Sequence, residues 1–134
     1  MVYVAAYVGA LIVFCVLDYI WLTKIAKDFY QMQMGDLMAI QVKMIPAVIF
    51  YLLYLLGLVV FAISPALKEQ SWVVAMSLGL LLGLIAYASY DLTNMATLKE
   101  WSISLTVVDI AWGAFVSAMA AVGGFFAARV FIGN

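Results

Sequence analysis

Four transmembrane helices in an antiparallel bundle, an all-α polytopic membrane fold, are what this sequence predicts, and three observations carry the prediction. With 69% hydrophobic residues, 10% charged residues and a mean hydropathy of +1.20 over 134 residues, the chain has too little polar surface to cover a water-soluble domain. Four apolar stretches, about residues 2–23, 43–63, 71–90 and 102–131, each reach the roughly 20 residues needed to cross a hydrocarbon core about 30 Å thick. None of them alternates with period two, so they satisfy their backbone in lipid as helices and not as barrel strands. With short connections between them, residues 1–134 form one transmembrane domain.

The elements follow in order. The opening run, MVYVAAYVGALIVFCVLDYIWL, lacks the positive start and the small-x-small cleavage site of a secretory signal, and is expected to be a retained span. The first connection, KIAKDFYQMQMGDLMAIQVK, breaks at Gly35-Asp36 between amphipathic flanks, the pattern of a short interfacial helix. Ser64-Pro65 is expected to stop the second helix, with Lys68-Glu69-Gln70 leading into the third. The third connection, residues 91–101, is expected to continue helically before it turns. Tyr19, Trp21, Trp72, Tyr90 and Trp101 fall where headgroups would meet the helix ends, as aromatic side chains prefer.

Small residues supply close helix contacts in a medium where apolar burial gives no drive between helices. Gly79 and Gly83 form a GxxxG on the third span, and Gly113, Ser117 and Ala121, or Ala120, Gly124 and Ala128, form ridges on the fourth. Packing inside the bundle is the plainer use of these ridges, and pairing of two protomers is the other. Lysines set the orientation, since basic residues beside spans favour the cytoplasm. Lys24, Lys27 and Lys43 in the first loop and Lys99 in the third, against Lys68 and Arg129, place loops one and three inside and both termini outside.

Several function classes fall away on composition. A net charge of −1 without a Lys/Arg-rich run gives no footprint for nucleic acid. The absence of histidine removes the commonest general base and transition-metal ligand. A single cysteine, Cys15, allows no internal disulfide. No metal or cofactor is expected, and the expected partners are the lipid bilayer, a small molecule or lipid, and further copies of the chain.

Asp18, Asp91 and Asp109 are the informative residues, because an aspartate deep in a span costs about 3 kcal/mol on insertion scales and is usually paired or functional. Counting about 1.5 Å of rise per residue, Asp18 near the end of span one, Asp91 closing span three and Asp109 about seven residues into span four lie at similar depth, on the cytoplasmic side of the orientation above. Tyr87, Asp91 and Asn94, spaced i, i+4 and i+7, share one helical stripe, and Lys99, Trp101, Gln41 and Lys43 fall at the same level. The pattern D-x-x-W occurs twice, at Asp18–Trp21 and Asp109–Trp112, too short to define a repeat. A purely structural use exists for two of these acids: Asp18 and Asp91 can reach headgroups or loop amides, and Asp91 can pair with Lys99 to fold a turn, whereas the deeper Asp109 reads first as a functional or network residue. Tyr51 and Tyr54, at i and i+3 on span two, read first as packing aromatics with one hydroxyl hydrogen bond each.

The segments LDYIWL, AYASYDLTNMATLKEWS and VDIAWG resemble the bacterial membrane-protein family catalogued as domain of unknown function 2177, along nearly the whole chain. The resemblance implies a four-helix protein of the bacterial inner membrane and puts Asp18, Trp21, Asp91, Asn94, Lys99, Trp101, Asp109 and Trp112 within the family's motifs. It brings no activity with it.

Three functions remain open from the residues. One is a carboxylate-lined site toward the cytoplasmic side, made from Asp18, Trp21, Tyr87, Asp91, Asn94, Lys99, Trp101, Asp109 and Trp112, that binds or transports a small polar or cationic ligand, with proton coupling through its acids. A carrier of only four spans implies a homo-oligomer. The second is a membrane-embedded enzyme acting on a lipid or isoprenoid-like substrate with aspartate acid/base chemistry, and the third is an accessory or assembly subunit. With no phosphate-cradling loop and no DDxxD run, the enzyme lacks a signature.

Overall fold

The computed structural model describes residues 1–25, 27–34 and 44–132. Among these, every regular element is helical, and four helices are long and apolar enough to cross a membrane: Val2–Ile25, Ile45–Glu69, Trp72–Thr97 and Ile103–Ile132. The first span is α1 (Val2–Ile20) continued by a wide π turn at Trp21–Ile25. A short helix, α2 (Lys27–Met34), follows it in the first connection. The Gly35-Asp36 break, Gln41 and Lys43 lie outside the described residues.

The second span corrects the expectation that Ser64-Pro65 ends it. α3 (Met44–Leu58) passes through a π turn at Val59–Ile63 into α4 (Ser64–Glu69) without leaving the helical path. A proline normally clashes with the carbonyl four residues back and removes one hydrogen bond. A π turn directly before Pro65 widens the backbone at that point, so the ring is accommodated in the first turn of α4, where an N–H would have no helical partner. The stop comes at Gln70, which takes a left-handed conformation at φ 53° and lets the Ser71 amide donate to the Ala66 carbonyl at 3.1 Å, a compact C-terminal cap. Ser71 then caps α5 (Trp72–Thr97) by accepting from the Val74 amide at 3.3 Å. That reverses the chain in two residues. α5 runs on through Asp91 to Thr97, so the expected helical continuation of the third connection is present. Ser102 caps α6 (Ile103–Ile132) in the same way, accepting from the Leu105 amide at 3.1 Å.

α6 is the axis of the bundle. At 30 residues it is about 45 Å long, and it packs chiefly between α1 and α5, with the second span laid across through its π turn. Its two small-residue ridges divide the work. Gly113, Ser117 and Ala121 meet Gly79 and Gly83 of α5, whereas Gly124 meets Ala6 and Ala10 of α1. The approach at Gly83 is close enough that a Cβ there would lie 2.4 Å from the Gly113 carbonyl oxygen. The GxxxG ridge is therefore consumed inside the bundle, where dispersion between closely packed backbones replaces the missing hydrophobic drive. Ile12, Leu53, Phe61, Ile85 and Val107 are each more than half exposed on the outside, an apolar surface suited to lipid.

Candidate functional site

One end of the bundle collects the polar side chains, where span one finishes, span two begins, α5 finishes and α6 begins. Asp18 is buried there at 9% exposure, and both of its carboxylate oxygens are engaged. The Trp112 indole N–H donates to Oδ1 at 3.2 Å, and the Tyr51 hydroxyl donates to Oδ2 at 3.1 Å. Three helices are thereby tied at one carboxylate, and each charge-assisted bond offsets part of the cost of burying it. Trp112 also lies flat on Trp21, with ring centroids 4.4 Å apart and planes 6° off parallel. The two D-x-x-W segments thus interlock crosswise: the acid of the first holds the indole of the second, and the two indoles stack.

Asp109 sits one turn before Trp112 on α6 and is half-buried. It lines a half-open cavity of about 460 Å³ between the second and third spans, with Phe50 and Tyr51 from α3 and Tyr87 and Tyr90 from α5. Pro46, Ala47 and Ala86 complete the wall. Tyr87 is fixed over Gly113, whose hydrogen leaves room for the ring; a Cβ would come within 2.1 Å of the Tyr87 Cγ. Behind Asp109, Asp91 is fully buried, and its two oxygens meet no N–H or O–H donor among the described residues. Its polar neighbour is the Asp109 carboxyl, within reach of a carboxyl–carboxyl hydrogen bond. Asp18 and Asp109 are also near enough to feel each other's charge. The three acids therefore occupy one cluster.

The other sequence candidates divide. Asn94 is half-buried one turn beyond Asp91, near Tyr90. Trp101 packs edge-on against Tyr90, centroids 5.8 Å apart, with its indole N–H buried and without an acceptor. Lys99 is exposed past the end of α5 and makes no ion pair with Asp91, whose oxygens meet no donor. The turn-folding pair considered for those two residues is not formed. Among the described residues no group of three His, Cys, Asp or Glu side chains is arranged to hold a metal ion.

Sequence reasoning passes over Phe50 and reads Tyr51 as a packing aromatic. Tyr54 fits the packing description, since its hydroxyl is buried against the Ser117 hydroxyl. Tyr51 fits it too, with its ring against Phe14 and Phe50 and its hydroxyl donated to Asp18, and it lines the cavity as well. A depth count would have found it: Tyr51 is seven residues into α3 and Asp109 six into α6, so both lie about 10 Å from the same end.

The family described as predicted membrane protein, domain of unknown function 2177, matches residues 3–126 of the chain. The chain belongs to this family. Its matched region takes in all three aspartates, both tryptophans of the stack and every residue of the cavity wall. Neither the curated proteins nor the solved structures yield a match.

Proposed function

We propose that this member of the family binds a small polar or cationic ligand in the cavity beside Asp109 and carries it across the inner membrane. The observation that supports this reading is a carboxyl in the wall of an otherwise apolar and aromatic cavity, with no lysine or arginine among the lining residues. A few placed polar groups in a concave apolar site are the usual make-up of a small-molecule pocket, and a volume of this order is typical. The sign of the charge favours a cation. Asp91 neighbours Asp109 without lining the cavity, and a proton shared between the two carboxyls can leave as the cation arrives at Asp109. The site faces the cytoplasm if loops one and three do. A chain of four spans is proposed to work as a homo-oligomer.

A membrane-embedded acid/base enzyme has weaker support, because Asp91 is fully buried and Asp109 is the one carboxyl among the described residues of the lining. The test is uptake into proteoliposomes containing the wild-type chain or Asp109→Asn. A panel of labelled sodium, potassium, methylammonium and tetraethylammonium is offered under an inward-negative potential. Saturable uptake of any one cation, lost in the variant, supports the reading; no Asp109-dependent uptake of any of them sinks it.

A further inference from the structure

Four of the eight described side chains around the cavity are aromatic, drawn from two helices, and a single acid comes from a third. That composition says more than the sign of the charge. A bare inorganic cation gives up its water only to a shell of several oxygen ligands, six or more for calcium and near-octahedral for magnesium. The side chains of the wall offer the two oxygens of Asp109 and three tyrosine hydroxyls, short of such a shell. A primary ammonium carries three N–H donors, each needing an acceptor, and strong hydration that must be stripped before it enters. An alkylated ammonium spreads its charge over carbon, has few or no N–H groups to satisfy and is weakly hydrated. It is bound by aromatic faces within about 6 Å of its centre, the arrangement that recognises quaternary ammonium groups.

Position supports the same conclusion. Phe50 is held by its neighbours on α3, with its ring 5.6 Å from Tyr51 and 5.6 Å from Tyr54, stacked on the latter at 12°. Tyr87 is seated on Gly113, and Tyr90 against Trp101. The aromatic wall is therefore built before a ligand arrives, which limits the ordering cost of binding. Asp91, fully buried and without a donor among the described residues, neighbours Asp109 and is not among the lining residues. Among the described residues that line the cavity none is a lysine or an arginine.

We infer that the cavity takes an organic cation bearing an alkylated ammonium centre, enclosed by Phe50, Tyr51, Tyr87 and Tyr90 with Asp109 as counter-ion. This rests on the reading of the cavity as a cation site and names its ligand class. The full-length protein in lipid nanodiscs is titrated with choline, tetraethylammonium, sodium and methylammonium, and with the uncharged analogue of choline in which carbon replaces the ammonium nitrogen. Trp112 and Trp21 beside the site report occupancy by fluorescence. Choline and tetraethylammonium are expected to bind at least about tenfold more tightly than the uncharged analogue, sodium or methylammonium. Asp109→Asn is expected to weaken them by at least about tenfold, and Phe50→Leu by roughly twofold to thirtyfold. Asp109→Glu retains binding, which separates loss of charge from loss of fold, and helical content by circular dichroism is compared for every variant. If sodium or methylammonium binds through Asp109 and the alkylated cations do not, the ligand class is wrong while the cation site stands. If the uncharged analogue binds as well as choline, or if Phe50→Leu has no effect on a cation that Asp109→Asn abolishes, the aromatic enclosure is wrong. If no cation binds, both readings fall together.

Discussion

Trp112 donates its indole N–H to Asp18 at 3.2 Å while its ring lies on Trp21 with centroids 4.4 Å apart, so a single side chain joins α6 to α1 in two different ways. The two contributions can be separated. Trp112→Phe keeps an aromatic face for Trp21 and removes the donor, leaving a buried carboxylate with Tyr51 as its remaining donor of the two described here. The expected loss is about 1–3 kcal/mol, read from reversible unfolding in mixed detergent micelles. A double-mutant cycle with Asp18→Asn should show coupling of at least about 0.5 kcal/mol; additive effects would mean that the hydrogen bond contributes nothing to the fold.

Tyr54 and Ser117 offer the same logic with neutral partners. Their hydroxyls are buried against one another between the second span and α6, so removing one strands the other. Tyr54→Phe or Ser117→Ala alone should each cost about 1 kcal/mol or more, whereas the double variant should cost less than the sum, because no unsatisfied hydroxyl then remains. Unfolding free energies of the three variants decide it. A double variant as costly as the sum of the singles would contradict a direct bond.

Glycine positions separate close packing from mere small size. A Cβ at Gly83 would sit 2.4 Å from the Gly113 carbonyl oxygen, a backbone atom with no freedom to turn aside, whereas a Cβ at Gly57 meets nothing within 4 Å. Gly83→Ala should therefore push α5 off α6 and destabilise by about 1–3 kcal/mol or more. Gly57→Ala should be neutral or stabilising by up to about 1 kcal/mol, through helix propensity alone. Melting temperatures of the two variants in the same detergent make the comparison, and equal effects would deny the internal use of the GxxxG ridge.

How far the sequence revealed this arrangement follows from what a helix conserves. Rise per residue turns position in a span into depth, so the common level of Asp18, Asp91 and Asp109 was legible by counting. The azimuth around each helix was not. Nothing in one uniformly apolar span says that Trp112 turns toward Asp18, that Asp91 turns behind Asp109, or that Tyr51 turns inward. Those directions come from the two small-residue ridges of α6, which fix its rotation against α1 and α5 only once both neighbours are in place. Pro65 misled for a related reason. The residue type signals a break, but the break is absorbed by the π turn at Val59–Ile63, which leaves no distinctive residue in the sequence.

The side of the membrane on which the cluster lies is open to a direct measurement. The lysine count favours loops one and three inside, and Lys99, exposed just past α5, tests it for loop three. Lys99→Cys in a Cys15→Ala background should resist a membrane-impermeant thiol reagent in intact spheroplasts and react after the membrane is opened. Labelling of intact spheroplasts would reverse the orientation and turn the Asp109 cavity toward the outside.

Asp91 supports a prediction that runs against the usual effect of altering a buried residue. Its oxygens meet no N–H or O–H donor among the described residues, and they neighbour the Asp109 carboxyl, so the pair either holds one shared proton or repels. An amide has nearly the same shape and carries two N–H donors, one of which can be given to Asp109. Asp91→Asn should therefore be at least as stable as the wild type at neutral pH, by up to about 1–2 kcal/mol, in contrast to the loss expected for Asp18→Asn, whose carboxylate already has two donors. If the carboxyl pair exchanges a proton for the cation, the same variant should still bind the cation but lose acceleration of uptake by an inward-acid or outward-acid gradient. A destabilised Asp91→Asn would show that Asp91 has a donor partner in the membrane, and uptake that still follows the proton gradient would place the exchanging group elsewhere.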